Sequence, residues 1–98
     1  MQTIEWISSW FQSQCDDDWE HENQIIIETT SNPGWYIVID LTDTECENLV
    51  LKADLVERDE NDWYFYDFEN AKFTGAGDLM KLEFLLDEFR KVVERFDK

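Results

Sequence analysis

Basic residues are missing from the first half of this sequence. Residues 1–51 hold eleven of the 24 acidic residues and no lysine or arginine, whereas residues 52–98 hold the other thirteen acidic residues and all eight basic ones. The formal net charge at pH 7 is −16. Such a field repels nucleic-acid phosphates and anionic lipid headgroups and attracts basic proteins, so we expect neither direct nucleic-acid binding nor membrane binding. Solubility alone would not require one half of the chain to lack every cation.

Side chains used for catalysis and metal binding are also scarce. His21 is the only histidine, and Cys15 and Cys46 are the only cysteines. A nucleophile made by Cys15 and His21, or a metal site that adds Cys46, is a weak alternative, because the neighbouring carboxylates disfavour a thiolate. We expect Cys15, at the end of the first helix, to be a small buried residue. No catalytic residue, cofactor or metal ligand is predicted.

Long apolar stretches are absent as well. No run approaches the roughly 20 residues of a membrane-spanning helix, and the first basic residue is Lys52, so no secretory signal is recognised. These features favour a cytoplasmic protein whose cysteines stay reduced. The length suits one domain, residues 1–98, and the five tryptophans and 43% hydrophobic content indicate a folded core.

Helical periodicity is present at both ends of the chain. Apolar residues recur at helical spacing over residues 4–15, where Thr3 is a suitable N-cap. A longer helix is predicted over residues 79–96, with Asp78 as its cap. The apolar stripe of this helix consists of Leu82, Leu85, Leu86, Phe89, Val92, Val93 and Phe96.

Strand-forming residues and turn residues alternate between the two helices. Strands are predicted over residues 24–30, 35–41, 49–57 and 63–68, with a short fifth strand over residues 72–74 that Gly75-Ala76-Gly77 ends. Asn32-Pro33-Gly34 is expected to form a type II turn, with Gly34 at positive φ. Side chains that alternate along a strand share a face, so Trp35 is expected to lie with Ile37, Ile39 and Leu41 in the core.

The predicted fold is therefore α+β. It is an antiparallel four- to five-stranded meander with the N-terminal helix and the long C-terminal helix packed on one face. The other face of the sheet would be half exposed. We expect it to carry aromatic side chains such as Tyr36, together with either Tyr64 and Tyr66 or Trp63 and Phe65.

Two acidic segments interrupt these elements, and both are expected to be exposed loops. The first acidic segment covers residues 15–22, and the second covers residues 42–48. Trp19 lies among the acids of the first segment, where its ring either anchors a partner or packs on the sheet edge and orders the loop. The first segment lacks the glycine and the final glutamate that a calcium loop requires. The candidate partner-binding residues are Asp16, Asp17, Asp18, Trp19, Glu20, Glu22, Asp43, Glu45 and Glu47.

The stretch from Trp6 to Leu41 resembles the immunity protein 53 family of bacterial polymorphic toxin systems. The resemblance is carried by Trp6 and Trp10, by Gln14-Cys15-Asp16, by Asp18-Trp19-Glu20-His21, by Asn32-Pro33-Gly34-Trp35 and by the strand that ends Ile39-Asp40-Leu41. Lys72-Phe73, with Gly75 and Gly77 before the last helix, also fits the family. Asp17 departs from the family pattern, which leads us to expect glycine at that position.

The resemblance implies a small cytoplasmic antidote that binds the active domain of a cognate toxin and blocks it. It supplies no catalytic residue and no cofactor, and it does not identify the toxin. The acidic field suits a basic toxin, such as a nuclease. Two other classes stay open at this point: an acidic nucleic-acid mimic or other protein-binding adaptor, and a small enzyme that uses Cys15 and His21.

Overall fold

The computed structural model describes residues 2–96. An N-terminal helix, α1 (Gln2–Gln14), is followed by a short helix, α2 (Trp19–Glu22), and the described chain ends with α3 (Leu82–Phe96). Between them lie six strands: β1 (Ile25–Thr30), β2 (Gly34–Asp40), β3 (Leu51–Lys52), β4 (Val56–Asp59), β5 (Asp62–Glu69) and β6 (Lys72–Gly77). This element order confirms the predicted α+β fold. None of the helices within residues 2–96 is long and apolar enough to cross a membrane.

The strand order places β6 in the middle of the sheet. All pairs are antiparallel in the order β1-β2-β6-β5-β3, and β4 also pairs with β5, so the order departs from a simple meander. The prediction that Gly75-Ala76-Gly77 ends the strand is wrong, because β6 continues to Gly77. A Cβ at Gly77 would lie 2.8 Å from the Cβ of Lys81, and one at Gly75 would lie 3.2 Å from the Phe73 ring. These glycines therefore serve close packing on the sheet rather than a turn.

The first hairpin turns through residues 31–33, with Thr30 paired to Gly34. The predicted type II turn is wrong, since Gly34 has no positive φ and is the first residue of β2. A Cβ at Gly34 would lie 2.5 Å from the carbonyl oxygen of Gly77. Glycine is therefore required here because β6 passes close to the start of β2.

The predicted third strand is split into β3 and β4 by an irregularity. After β3, the N–H of Ala53 still bonds to the carbonyl oxygen of Tyr66 at 3.0 Å. β4 then pairs Val56 with Tyr64. Between this pair and the last pair of β3, the stretch from β3 to β4 contains more residues than the facing stretch of β5. Such a β-bulge bends the strand and redirects a side chain. Leu55, which lies in this irregular stretch, is 58% exposed.

The core lies between the sheet and the two long helices. The apolar stripe predicted for α3 is confirmed at its centre, where Leu85, Leu86, Phe89, Val92 and Val93 are buried, whereas Phe96 at its end is exposed. Phe89 of α3 lies between α1 and the sheet and contacts both. Its ring contacts Trp6 and Trp10 of α1 and Phe68 and Phe73 of the sheet, at centroid distances between 5.2 and 6.1 Å.

Both helices begin at positions other than those predicted. α1 already starts at Gln2, so Thr3 lies inside the helix, where its hydroxyl donates a hydrogen bond to Asp87 of α3. α3 starts at Leu82, and Asp78 binds the turn that precedes the helix rather than its first turn. Both predicted capping side chains instead bind residues distant in sequence, since Thr3 binds Asp87 and the carboxylate of Asp78 accepts a hydrogen bond from the N–H of Trp63.

The outer face of the sheet carries Tyr36, Trp63 and Phe65. Phe65 pairs with Ala76, which in turn pairs with Tyr36, so these side chains share a face. Tyr64 and Tyr66 lie on the inner face and contact the rings of Phe84 and Phe73, respectively. The structure thus decides between the two aromatic pairs that the sequence left open.

Candidate partner-binding surface

The backbone of the first acidic segment is held by hydrogen bonds to carboxylates of the same segment. The Oδ1 atom of Asp16 accepts hydrogen bonds from the backbone N–H groups of Asp18 at 3.0 Å and Trp19 at 2.8 Å. The carboxylate of Glu20 accepts hydrogen bonds from the N–H groups of Asp16 and Asp17 at 3.0 to 3.2 Å. The segment is exposed, as predicted, but it is an ordered unit that leads into α2 rather than a simple loop.

These hydrogen bonds favour the ionised form of both carboxylates. The N–H groups of Trp19 and then Asp18 lower the pKa of Asp16 and outweigh its desolvation. For Glu20, its own N–H makes the largest contribution to the lowered pKa, and the N–H groups of Asp16 and Asp17 add to it. Both groups therefore stay charged well below neutral pH.

Trp19 fixes the first acidic segment to the body of the protein. Its side chain is 6% exposed, and its ring meets Phe11 and Trp10 of α1 at centroid distances of 5.1 and 6.3 Å. Its indole N–H donates a hydrogen bond of 2.6 Å to the carbonyl oxygen of Thr42. Of the two interpretations taken from the sequence, this geometry corresponds to a ring that lies in the core and orders the segment.

The second acidic segment is built in a similar way. Asp43 has a φ of 61°, as Asp17 has a φ of 79°, and its N–H donates a 3.1 Å hydrogen bond to Oε2 of Glu47. In each segment a glutamate three or four residues further along thus binds the backbone of an aspartate in the left-handed region. Glycine adopts this φ most easily, which agrees with the glycine that the family pattern leads us to expect at Asp17. Cys46, 2% exposed, anchors the second segment in the core.

The bond between Trp19 and Thr42 brings the two acidic segments together. Between them lies an open cleft of about 480 Å³. The candidate residues that line it are Asp16, Asp18, Trp19, Glu22 and Asp43, together with Gln14, Asn23 and Thr42. Glu45 instead lines a neighbouring hollow beside Cys46. Asp17, Glu20 and Glu47 belong to the same segments but do not line the cleft.

Six of the seven lysine and arginine side chains of residues 2–96 form ion pairs outside the cleft. Lys52 pairs with Glu69, Arg58 with Asp62, Lys72 with Asp40, Lys81 with Asp62 and Asp78, Arg90 with Glu94, and Lys91 with Glu88. Within residues 2–96, none of the four cleft carboxylates pairs with a lysine or arginine. The cleft therefore presents concentrated negative charge to solvent, which favours a cationic partner.

Cys15 lies in a position that disfavours reactivity. It is exposed, so the prediction that it is buried is wrong; the helix ends before it, and it follows the last turn toward the surface. Desolvation, followed by the charges of Glu20 and Asp16, raises the pKa of its thiol. Cys46 is buried, and the two cysteines are not joined by a disulfide bond. In the described part of the chain, no three histidine, cysteine or acidic side chains are grouped closely enough to hold a metal ion.

Glu20 and Glu47 were predicted from the sequence only as charged partner-binding residues, and their structural role was not predicted. Each carboxylate binds the backbone that precedes it. The signal was present in the spacing, because an acidic side chain three or four residues after a turn can reach back to that turn's N–H groups. The role of the Thr42 carbonyl had no such signal, since it depends on a contact across 23 residues.

Comparison with known proteins gives one match. The family model of immunity protein 53 matches residues 4–94 of the chain. No curated protein and no solved structure matches significantly. The matched range includes both acidic segments and every strand of the sheet.

Proposed function

Since the chain belongs to the immunity protein 53 family, we propose that it is a cytoplasmic antidote that binds and neutralises a cognate toxin domain. The toxin surface that it covers is basic, as in a nuclease, and the antidote performs no chemistry of its own. The observation that carries this proposal is the acidic cleft, whose four carboxylates have no lysine or arginine partner within the described chain.

The acidic segments have a fixed backbone conformation, which supports a role in binding rather than in solubility alone. A flexible acidic loop would lose conformational entropy when it meets a partner, whereas a segment already held by backbone hydrogen bonds loses less. Asp16 and Glu20 hold the first segment, and Glu47 holds the second. Charges fixed in this way also steer a cationic surface and raise the association rate.

The proposal is tested by replacing Asp16, Asp17 and Asp18 together with asparagine. The fold should persist, because an asparagine oxygen can replace Oδ1 of Asp16 and asparagine tolerates the positive φ of Asp17. The probe is the C-terminal domain of the protein encoded directly upstream, and its binding is followed by surface plasmon resonance at several salt concentrations. We expect slower association and a weaker salt dependence for the variant, since screening acts over about 10 Å at 0.1 M.

A matched control replaces Glu5, Glu28 and Glu83 with glutamine. These side chains are exposed, lie outside both acidic segments, and the change alters net charge equally. If both triple variants slow association to the same degree, only the overall charge matters and the cleft is not the site. If neither variant changes either rate constant, the acidic segments do not contact the toxin.

A further inference from the structure

The turn between β6 and α3 displays two apolar side chains to solvent. Leu79 is 49% exposed and Met80 is 84% exposed, and they follow each other directly. They lie at the end of the sheet opposite the acidic cleft, because β6 runs from Lys72 near the second acidic segment to Gly77 beside this turn. Exposed apolar neighbours on a soluble protein often mark a contact surface.

This turn is held rigidly by Asp78. Asp78 is buried, with 4% of the residue exposed. Its carboxylate accepts hydrogen bonds from the N–H groups of Met80 at 2.8 Å and Trp63 at 3.0 Å. Burial alone would raise the pKa of Asp78, but the hydrogen bonds from Lys81, Met80 and Trp63 outweigh it and lower the pKa. The turn is therefore fixed by a carboxylate that remains ionised.

Two further bonds complete this support. The ammonium group of Lys81 joins Asp78 at 2.7 Å to Asp62 at 2.8 Å. The indole N–H of Trp35 donates a 3.1 Å hydrogen bond to the carbonyl oxygen of Leu79. A segment that presents apolar side chains on so constrained a backbone loses little entropy when a partner covers it.

The exposed pair continues into a second apolar area. The hollow beside Leu79 and Met80 is also lined by Asn32 and Glu60, and the same two residues line a hollow that contains Leu55. Trp63 and Phe65 of the outer sheet face, together with Glu57, form the rest of that second hollow. We call Leu55, Trp63, Leu79 and Met80 the apolar tip.

Charge at the edge of the apolar tip indicates what covers it. Glu57 and Glu60 are exposed and line the second hollow, and neither makes an ion pair within the described chain. Apolar side chains with lysine or arginine beside them would complement this surface. A second copy of this chain would instead bring together two molecules with a net charge of −16 each, which opposes association.

We propose that the apolar tip is a second docking surface for the toxin, occupied by an apolar toxin side chain with basic neighbours. This inference rests on the proposed function. The acidic cleft governs the rate of association, whereas burial at the apolar tip governs the rate of dissociation.

The distance between the two surfaces fits within a single interface of ordinary size. The seven residues of β2 extend about 20 Å from one end of the sheet to the other, at about 3.3 Å per residue. A standard interface buries about 800 Å² on each partner, which corresponds to a patch about 30 Å across. The two surfaces can therefore belong to one interface.

The test replaces Leu79 and Met80 together with glutamine, which is similar in length but polar. The matched control is Ile4→Gln, because Ile4 is also an exposed apolar residue, at 43%, and lies on α1 away from the apolar tip. The probe is again the C-terminal domain of the protein encoded directly upstream. We expect the double variant to dissociate at least about tenfold faster, with association changed by less than about twofold, and the control to match the parent protein.

The outcomes separate this inference from the proposed function. If the parent protein binds the probe and the double variant dissociates like the Ile4→Gln control, the apolar tip is not an interface and only this inference is lost. If the parent protein does not bind the probe at all, the proposed function and the inference are both wrong. If light scattering shows that the parent protein is a dimer and the double variant is a monomer, a second copy covers the tip and the toxin assignment is refuted.

Discussion

Replacing Trp19 with alanine should destabilise the protein strongly. The ring is 6% exposed, it packs edge-on against Phe11 and Trp10, and its N–H binds the carbonyl oxygen of Thr42. Truncation of a buried tryptophan costs about 3–5 kcal/mol. The lost hydrogen bond adds little, since water can reach the exposed Thr42. We expect a loss of about 4 kcal/mol, which is a large part of the 5–15 kcal/mol typical of small domains.

Urea denaturation measures this loss of stability directly. Unfolding is followed by circular dichroism rather than fluorescence, because the other four tryptophans complicate a fluorescence signal. In a thermal scan the same loss lowers Tm by roughly 15–30 °C for a domain of this size. Trp19→Phe is the graded comparison. It keeps a ring against α1 but loses the indole N–H, so we expect a cost of about 1–2 kcal/mol.

Trp35→Ala serves as the matched control. Trp35 also donates its indole N–H to a carbonyl oxygen, that of Leu79, but it is only half buried and lies outside the core cluster. Its truncation should cost about half as much as that of Trp19. A Trp19→Ala variant that melts like the parent protein yet fails to bind the toxin would refute the reasoning and place Trp19 at the interface.

Three further results are expected. Ala71→Gly should stabilise the protein by about 0.5–1 kcal/mol in a thermal scan, since Ala71 has a φ of 59° in the two-residue turn between β5 and β6. Gly34→Ala should cost about 2 kcal/mol or more in the same scan, because its Cβ would lie 2.5 Å from the carbonyl oxygen of Gly77. Burial, and then the hydrogen bond to the Glu88 carboxylate, raise the pKa of Tyr66 to about 12 from 10.0. Its contribution to stability is thus complete below pH 10 and is lost as pH rises through about 12, so an ultraviolet titration should show one tyrosine ionising together with alkaline unfolding.

The elements with strong periodicity could be predicted from the sequence. The stripe of α3 repeats at helical spacing and is buried from Leu85 to Val93. Ile37 and Ile39 alternate along β2 and are fully buried. In both cases the apolar residues that face the core recur regularly within the sequence of one helix or strand. The buried face can therefore be predicted from that segment alone.

The position of β6 could not be predicted in this way. Gly75 and Gly77 follow a local rule that associates glycine with turns, and Phe73 is the only large apolar side chain between residues 72 and 77 that indicates a strand. In the structure these glycines allow Phe73 and Lys81 to pack closely above the sheet. Part of the need for glycine comes from other elements, since a Cβ at Gly77 would lie 3.2 Å from the carbonyl oxygen of Trp63 in β5. The sequence of β6 alone does not reveal such a neighbour.

The candidate site was predictable in its charge but not in its shape. A cation-free half and two acidic segments are visible in the sequence. Their meeting depends on the hydrogen bond between Trp19 and Thr42, which lie 23 residues apart. The exposure of Cys15 was missed for a related reason, because α1 ends at Gln14 and the chain then turns to bring Trp19 inward.

Five carboxylates of the acidic segments divide into two groups with different tasks. Asp16, Glu20 and Glu47 accept hydrogen bonds from the backbone. Asp18 and Glu22 line the cleft, and within residues 2–96 their carboxylates accept no backbone hydrogen bond. A carboxylate has about four acceptor positions, so the first group can hold the segment in place and still attract a cation. The same side chains thus provide both the charge that a basic toxin meets and the rigidity that limits the entropic cost of binding it. It follows that neutralising the second group should weaken binding with no loss of stability, whereas truncating the first group should weaken both.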